Sequence, residues 1–211
     1  EFLSHRVTVF IALHLVKFSN PDVLRGHMVA ISSHLLEALS GLENTTLNYI
    51  EQHAERVGID KDELDNLRIQ AANSSMVGDM LDRLSGSCDQ TNIESFCLKM
   101  QTLLKSGFGT NTRAGTCKFL SSVILRMRHD MKPFSRKLLK TLVTSSRASP
   151  PAVVRAYSGT FAILAKFSSE SAVSKTLDII LENVQSDEAR EQRFAGVFLL
   201  DLCRLASDVF V

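Results

Sequence analysis

The sequence predicts an all-α chain, an α–α superhelix of stacked helix pairs. Three observations carry that reading. Apolar residues recur at helical spacing along the chain, no stretch alternates apolar and polar side chains as a strand would, and an Arg-led motif returns at intervals of 42 and then 38 residues.

The elements follow in order. Helices are expected at about 3–17, 27–40, 44–56, 61–84, 92–106, 111–128, 133–145, 151–167, 170–184 and 187–208. The first contains an apolar run, 7–18, that holds His14 and Lys17. That run is shorter than the roughly 20 residues a membrane span needs, and no small-residue cleavage site follows it. It reads as a buried repeat helix. Leu35, Leu36 and Leu39 make one stripe of the second helix, with Val29 and Ile31 upstream. Asp60 before Glu63 and Thr91 before Glu94 have capping-box spacing. Phe96, Met100, Leu103 and Leu104 share a face, as do Phe134, Leu138, Leu139 and Leu142, and Val173, Leu177, Ile180, Leu181 and Val184. Pro21, Pro133 and the Pro150-Pro151 pair stand where a first helical turn tolerates proline. Gly41, Gly86 and Gly107 stand where helices end.

The repeat fixes the architecture. Arg113-Ala114-Gly115 is followed by Phe119-Leu120, Arg155-Ala156 by Phe161, and Arg193-Phe194-Ala195-Gly196 by Phe198-Leu199. Second helices around 138–142 and 177–181 lie 39 residues apart. A unit of about 40 residues made of two helices is the HEAT/armadillo period. One helix pair cannot bury both its apolar stripes, so pairs stack and share a core. Small residues beside each Arg are expected to let adjacent first helices approach closely. One continuous array over 1–211 is expected, about five helix pairs with 44–88 irregular. The chain has no initiator Met and begins and ends in apolar segments, so it reads as an excerpt of a longer protein.

Composition narrows function. Net charge is +1. Residues 1–105 carry 9 basic and 14 acidic side chains, and 106–211 carry 15 and 9. The basic excess is densest over 113–147, with nine Lys or Arg against Asp130 alone. Lys132, Arg136, Lys137 and Lys140 fall on or beside one second helix, with Arg126, Arg128 and Arg147 flanking. Arg136 and Lys140 lie opposite the Phe134/Leu138/Leu142 stripe. Two readings stand, a solvated face and a dock for an acidic protein surface. Nucleic acid is disfavoured, because no aromatic residues interleave the cluster.

No catalytic, cofactor or metal site emerges. Cys88, Cys97, Cys117 and Cys203 have no zinc-ligand spacing and read as free thiols of a reducing compartment, cytoplasm or nucleus. Of six histidines, His27 and His34 are two turns apart, too far to share a metal. Residues 106–110 resemble a phosphate loop only in glycine content. They lack Walker spacing and read as a tight turn. Asp60, Asp62, Glu63 and Asp65 lack the glycine of a calcium loop and read as a charged first turn.

Several segments carry a family resemblance. They are Glu37-Ala38-Leu39-Ser40-Gly41-Leu42-Glu43 with Leu47-Asn48-Tyr49, then Leu104-Lys105-Ser106-Gly107-Phe108-Gly109-Thr110, then Cys117-Lys118-Phe119-Leu120. Met131-Lys132-Pro133-Phe134, Val154-Arg155-Ala156-Tyr157 and Arg204-Leu205-Ala206-Ser207-Asp208 continue the order. Over about residues 24–211 the chain resembles the large proteasome adapter and scaffold proteins built of HEAT repeats. It departs from them at Asn44-Thr45-Thr46 and at Ser146-Arg147-Ala148.

The resemblance implies a non-enzymatic scaffold, from the C-terminal half of a much longer protein, that binds the proteasome. Family members bridge regulatory and core particles and act in assembly quality control. The family motif residues Leu47, Asn48, Tyr49, Gly107, Gly109, Thr110, Arg113, Arg155 and Arg193 are read as structural. Protein binding is assigned to Lys132, Arg136, Lys137, Lys140 and Arg147. Proteasome subunits are the expected partners, with no nucleic acid and no membrane insertion. The alternatives are another HEAT scaffold, such as a nuclear transport receptor or ribosome-bound translation regulator, and an enzyme with a site built on helices.

Overall fold

The chain is described by a computed structural model over residues 2–41, 58, 60–106, 109–147 and 149–207, with side chains from Val7 onward. Among these residues the regular structure is helical. The helices are α1 Phe2–Phe18, α2 Pro21–Leu24, α3 Met28–Ala38, α4 Lys61–Asn73, α5 Met76–Leu84 and α6 Ile93–Ser106. They continue as α7 Gly109–Met127, α8 Lys132–Ser146, α9 Pro151–Ala165, α10 Glu170–Val184 and α11 Ala189–Leu205.

The helices form two rows. In one row α4, α7, α9 and α11 pack side by side. In the other, α3, α6, α8 and α10 do the same. The second row's helices begin at Met28, Ile93, Lys132 and Glu170, so its first interval is 65 residues and the next two are 39 and 38. A single apolar core runs between the rows. The repeating phenylalanines Phe119, Phe161 and Phe198 are all buried there, Phe119 edge-on to Phe96 at 5.6 Å and Phe161 to Phe198 at 5.4 Å. The α6 stripe of Phe96, Met100, Leu103 and Leu104 is fully core, as are Leu35, Leu36 and Leu39. This is the helix-pair stack that the 40-residue period predicts, an all-α HEAT-type solenoid.

Several local expectations need correction. The Arg-led helix is not the first member of the tighter pair. It packs more closely on the helix before it than on the one after, giving pairs α6/α7, α8/α9 and α10/α11. Residues 61–84 are two helices, because Ser75 accepts the Gly78 amide and caps α5. Asp60 heads α4 but makes no side-chain cap, and the Thr91 hydroxyl donates to Asp89 rather than capping a helix. Leu181 and Val184 are exposed, since α10 buries the face of Val173, Thr176 and Ile180 instead.

The apolar run 7–18 is not buried throughout. Helix α1 meets α3 and α5, burying Ala12 and Val16, and leaves Phe10, Ile11, Leu15 and Phe18 exposed. No helix among the described residues is long and apolar enough to cross a membrane. Adjacent Arg-led helices do approach closely, Thr160 of α9 donating to the Cys117 carbonyl of α7 at 3.1 Å, while Gly115 makes its own close approach to α3's end. A Cβ there would lie 2.2 Å from Leu39 Cδ1.

Candidate protein-binding surface

Helix α8 sets out the basic cluster. Pro133 stands in its first turn, where a missing amide costs nothing, and Leu138, Leu139 and Leu142 turn into the core. The 3.6-residue period then sends Lys132, Arg136, Lys137 and Lys140 to solvent on the opposite face. No ion pair ties these four to a carboxylate among the described residues. Arg147, just past the helix, is exposed as well. Unpaired and solvated, these cations keep their field for an incoming anion.

The repeated arginines part ways. Arg113 donates to Ser149 Oγ at 2.9 Å, bracing the turn that leads into α9. Arg155 donates to Asn66 Oδ1 at 2.9 Å and reaches Asp62 at 3.5 Å, tying α9 to α4. Arg193 is exposed on α11. Gly109 has φ +80°, the left-handed backbone that a turn into α7 demands, and Thr110 follows it half-buried. Leu47, Asn48, Tyr49 and Gly107 lie outside the described residues, as do His53 and the helix expected at 44–56.

Polar bonds between neighbouring pairs escaped the sequence reading. The buried Tyr157 hydroxyl donates to the Leu104 carbonyl at 2.7 Å, and Thr112 to the Leu36 carbonyl at 3.1 Å. Both acceptors lie in the last turn of a helix in the other row, and the Leu36 carbonyl takes the Leu39 amide as well. Lys118 pairs with Asp82 at 3.1 Å and donates to the Asn73 carbonyl. Asn92 donates to the carbonyls of Arg25 and Ser87. All but the Asn92–Ser87 bond join segments far apart in the chain, so no local spacing announces them.

The titratable groups do structural work. Burial pushes the thiols of Cys88 and Cys97 up to about 12, with Asp89 adding to the first and Cys88 to the second. They are protonated thiols and not nucleophiles. Asp89 is held below the usual carboxylate range, first by the Thr91 hydroxyl, which outweighs the opposing desolvation, and then by the Thr91 amide, Arg25 and the Asn92 amide. Among the described residues no three His, Cys, Asp or Glu side chains gather as metal ligands.

Helix pairs of this period match a known family. Its profile, described as Proteasome adapter and scaffold protein ECM29, HEAT-repeat domain, covers residues 24–184. The chain belongs to this family. The ECM29 match takes in α8 with its four cations, and Arg113 and Arg155; Arg193 lies beyond it. Relatives include Proteasome component ecm29 of Schizosaccharomyces pombe, 24% identical over 93% of this chain and 12% of that protein. The human Proteasome adapter and scaffold protein ECM29 is 26% identical over 77% of this chain and 9% of its own length. The Drosophila melanogaster Proteasome-associated protein ECM29 homolog is 25% identical over 58% and 6%. The chain thus spans about a tenth of the length of the ECM29 relatives it matches. No solved structure matches it.

Proposed function

We propose that this chain is one segment of a non-enzymatic scaffold that binds the proteasome, with the solvent face of α8 as a contact. The observation that carries the reading is the unpaired row Lys132, Arg136, Lys137 and Lys140, set on a core-anchored helix inside the family's HEAT-repeat span. A cationic face on an anchored helix suits an acidic protein surface, because no partner inside the chain competes for its charges. The three relatives are named for the proteasome, which is the partner proposed here. In the full-length protein, contacts spread over many stacked pairs would add up, and the scaffold would hold regulatory and core particles together and monitor their assembly. Its place would be where proteasomes are, in cytoplasm and nucleus.

The test is affinity co-purification from cells of the full-length protein carrying Lys132→Ser, Arg136→Ser, Lys137→Ser and Lys140→Ser. Proteasome recovery at low salt should fall severalfold, and what remains should respond less to added salt, since four screened charges are gone. Native gels of the same cells should show more free regulatory and core particles. Recovery unchanged at low salt would remove α8 from the interface. Loss of recovery for every truncation except those that delete this segment would remove the segment.

A further inference from the structure

A second surface lies on the other row of helices. The N-terminal ends of α4, α9 and α11 open onto one groove of about 840 Å3. Its floor is apolar, made by Pro150, Pro151, Val154, Phe194 and Val197. One wall carries Arg147, Arg190 and Arg193, and the other carries Asp60, Lys61, Asp62 and Asp65.

The charges on these walls are not equivalent. Asp62 is already taken by Arg155 at 3.5 Å, and Asp65 by Arg68 at 3.7 Å. Arg147, Arg190 and Arg193 are exposed and form no ion pair among the described residues. Glu188 and Glu191 share an adjoining shallow hollow with Arg147 and Arg190, outside ion-pair distance. Helix polarity adds to the imbalance. The 15-residue α9 has no acid in its first turn, so its positive end faces the groove uncompensated, whereas the 17-residue α11 carries Glu188 at its N-cap and Glu191 in its first turn.

We propose that this groove binds an acidic segment of a partner protein that carries an apolar anchor. An aliphatic side chain would sit on Pro150, Pro151 and Val197, the open part of the floor, and flanking carboxylates would meet Arg147, Arg190 and Arg193. The apolar floor gives a bare phosphate nothing to contact, and Phe194 is too buried at 6% exposure to stack a nucleic-acid base. A carboxylate on a guanidinium, beside a desolvated aliphatic contact, fits both parts of the site.

The experiment is fluorescence anisotropy of the full-length protein with a short labelled peptide, a Leu-Leu centre flanked by Glu and Asp. The groove variant is Arg190→Glu with Arg193→Glu. Both substitutions place acid in the first turns of α11, where the helix dipole favours it, and a thermal melt checks that the fold stands. The unsubstituted protein should bind the peptide, and the groove variant should bind it at least about tenfold more weakly. A peptide with Ser-Ser in place of Leu-Leu should also weaken. The fourfold serine variant of α8 should bind as the unsubstituted protein does. Equal binding by the groove variant, equal binding of the Ser-Ser peptide, or displacement by single-stranded RNA more readily than by unlabelled peptide would each overturn the proposal. The readout is peptide binding and not proteasome recovery, so this site and the α8 contact fail independently.

Discussion

Tyr157 shows how one atom joins two helix pairs. Its ring is fully buried and its hydroxyl meets the Leu104 carbonyl at 2.7 Å. Tyr157→Phe keeps the ring and deletes the donor, leaving a buried carbonyl without that partner. The expected cost is about 1–2 kcal/mol, read from urea unfolding, and a change under about 0.3 kcal/mol would mean that water reaches the carbonyl. The thiols give a second prediction at this scale. Cys88 and Cys97 are raised to about 12 by burial, whereas an unfolded chain ionises thiols near 8.5. Above that pH the unfolded state sheds protons that the folded state keeps. The stability these thiols contribute is therefore whole below about pH 8.5 and lost as pH rises towards 12. Urea midpoints should fall from about pH 8 to pH 10, and Cys88→Ala with Cys97→Ala should flatten that fall. An identical slope in the variant would show that other groups govern it.

At the scale of the element, two glycines make opposite predictions for one substitution. Gly78 follows the corner between α4 and α5, and a Cβ there would stand 2.2 Å from the Asn73 carbonyl oxygen. Backbone cannot step aside, so Gly78→Ala should open the corner at a cost of about 1–3 kcal/mol. Gly159 lies inside α9, and a Cβ there meets nothing within 4 Å. Gly159→Ala should stabilise by about 0.5–1 kcal/mol through helix propensity, and thermal melts of the two variants should shift in opposite directions. The same contrast explains what could be read from sequence. The stripes of α6 and α8 were legible because period, proline placement and burial agree at Phe96, Met100, Leu138 and Leu142. The break at Ser75 was not, because Ser74 and Ser75 fit a helix's polar face as readily as a cap. The α8 cations were legible from their spacing against the leucines. The groove was not, since its walls join Asp62 to Arg155 and Arg193, and only the rows' packing brings these together.

At the scale of the molecule, the row architecture makes stability a sum of neighbour terms. Each pair touches the pair before and the pair after, α9 reaches further back to α4 through Arg155, and among the described residues the core runs along the stack rather than gathering at one centre. Residues that share an inter-helix contact should therefore couple, and residues two pairs apart should not. Phe161 and Phe198 are 5.4 Å apart across α9 and α11, and Phe96 and Phe119 are 5.6 Å apart across α6 and α7. In double-mutant cycles with Phe161→Leu and Phe198→Leu, the interaction energy should be about 0.5–1.5 kcal/mol, the size of an aromatic edge contact. A cycle pairing Phe96→Leu with Phe198→Leu should instead add to within about 0.5 kcal/mol. Strong coupling between that distant pair would mean the helices fold around one shared centre. The period of forty residues would then mark a sequence repeat without the nearest-neighbour mechanics that make a solenoid a long and stiff binding surface.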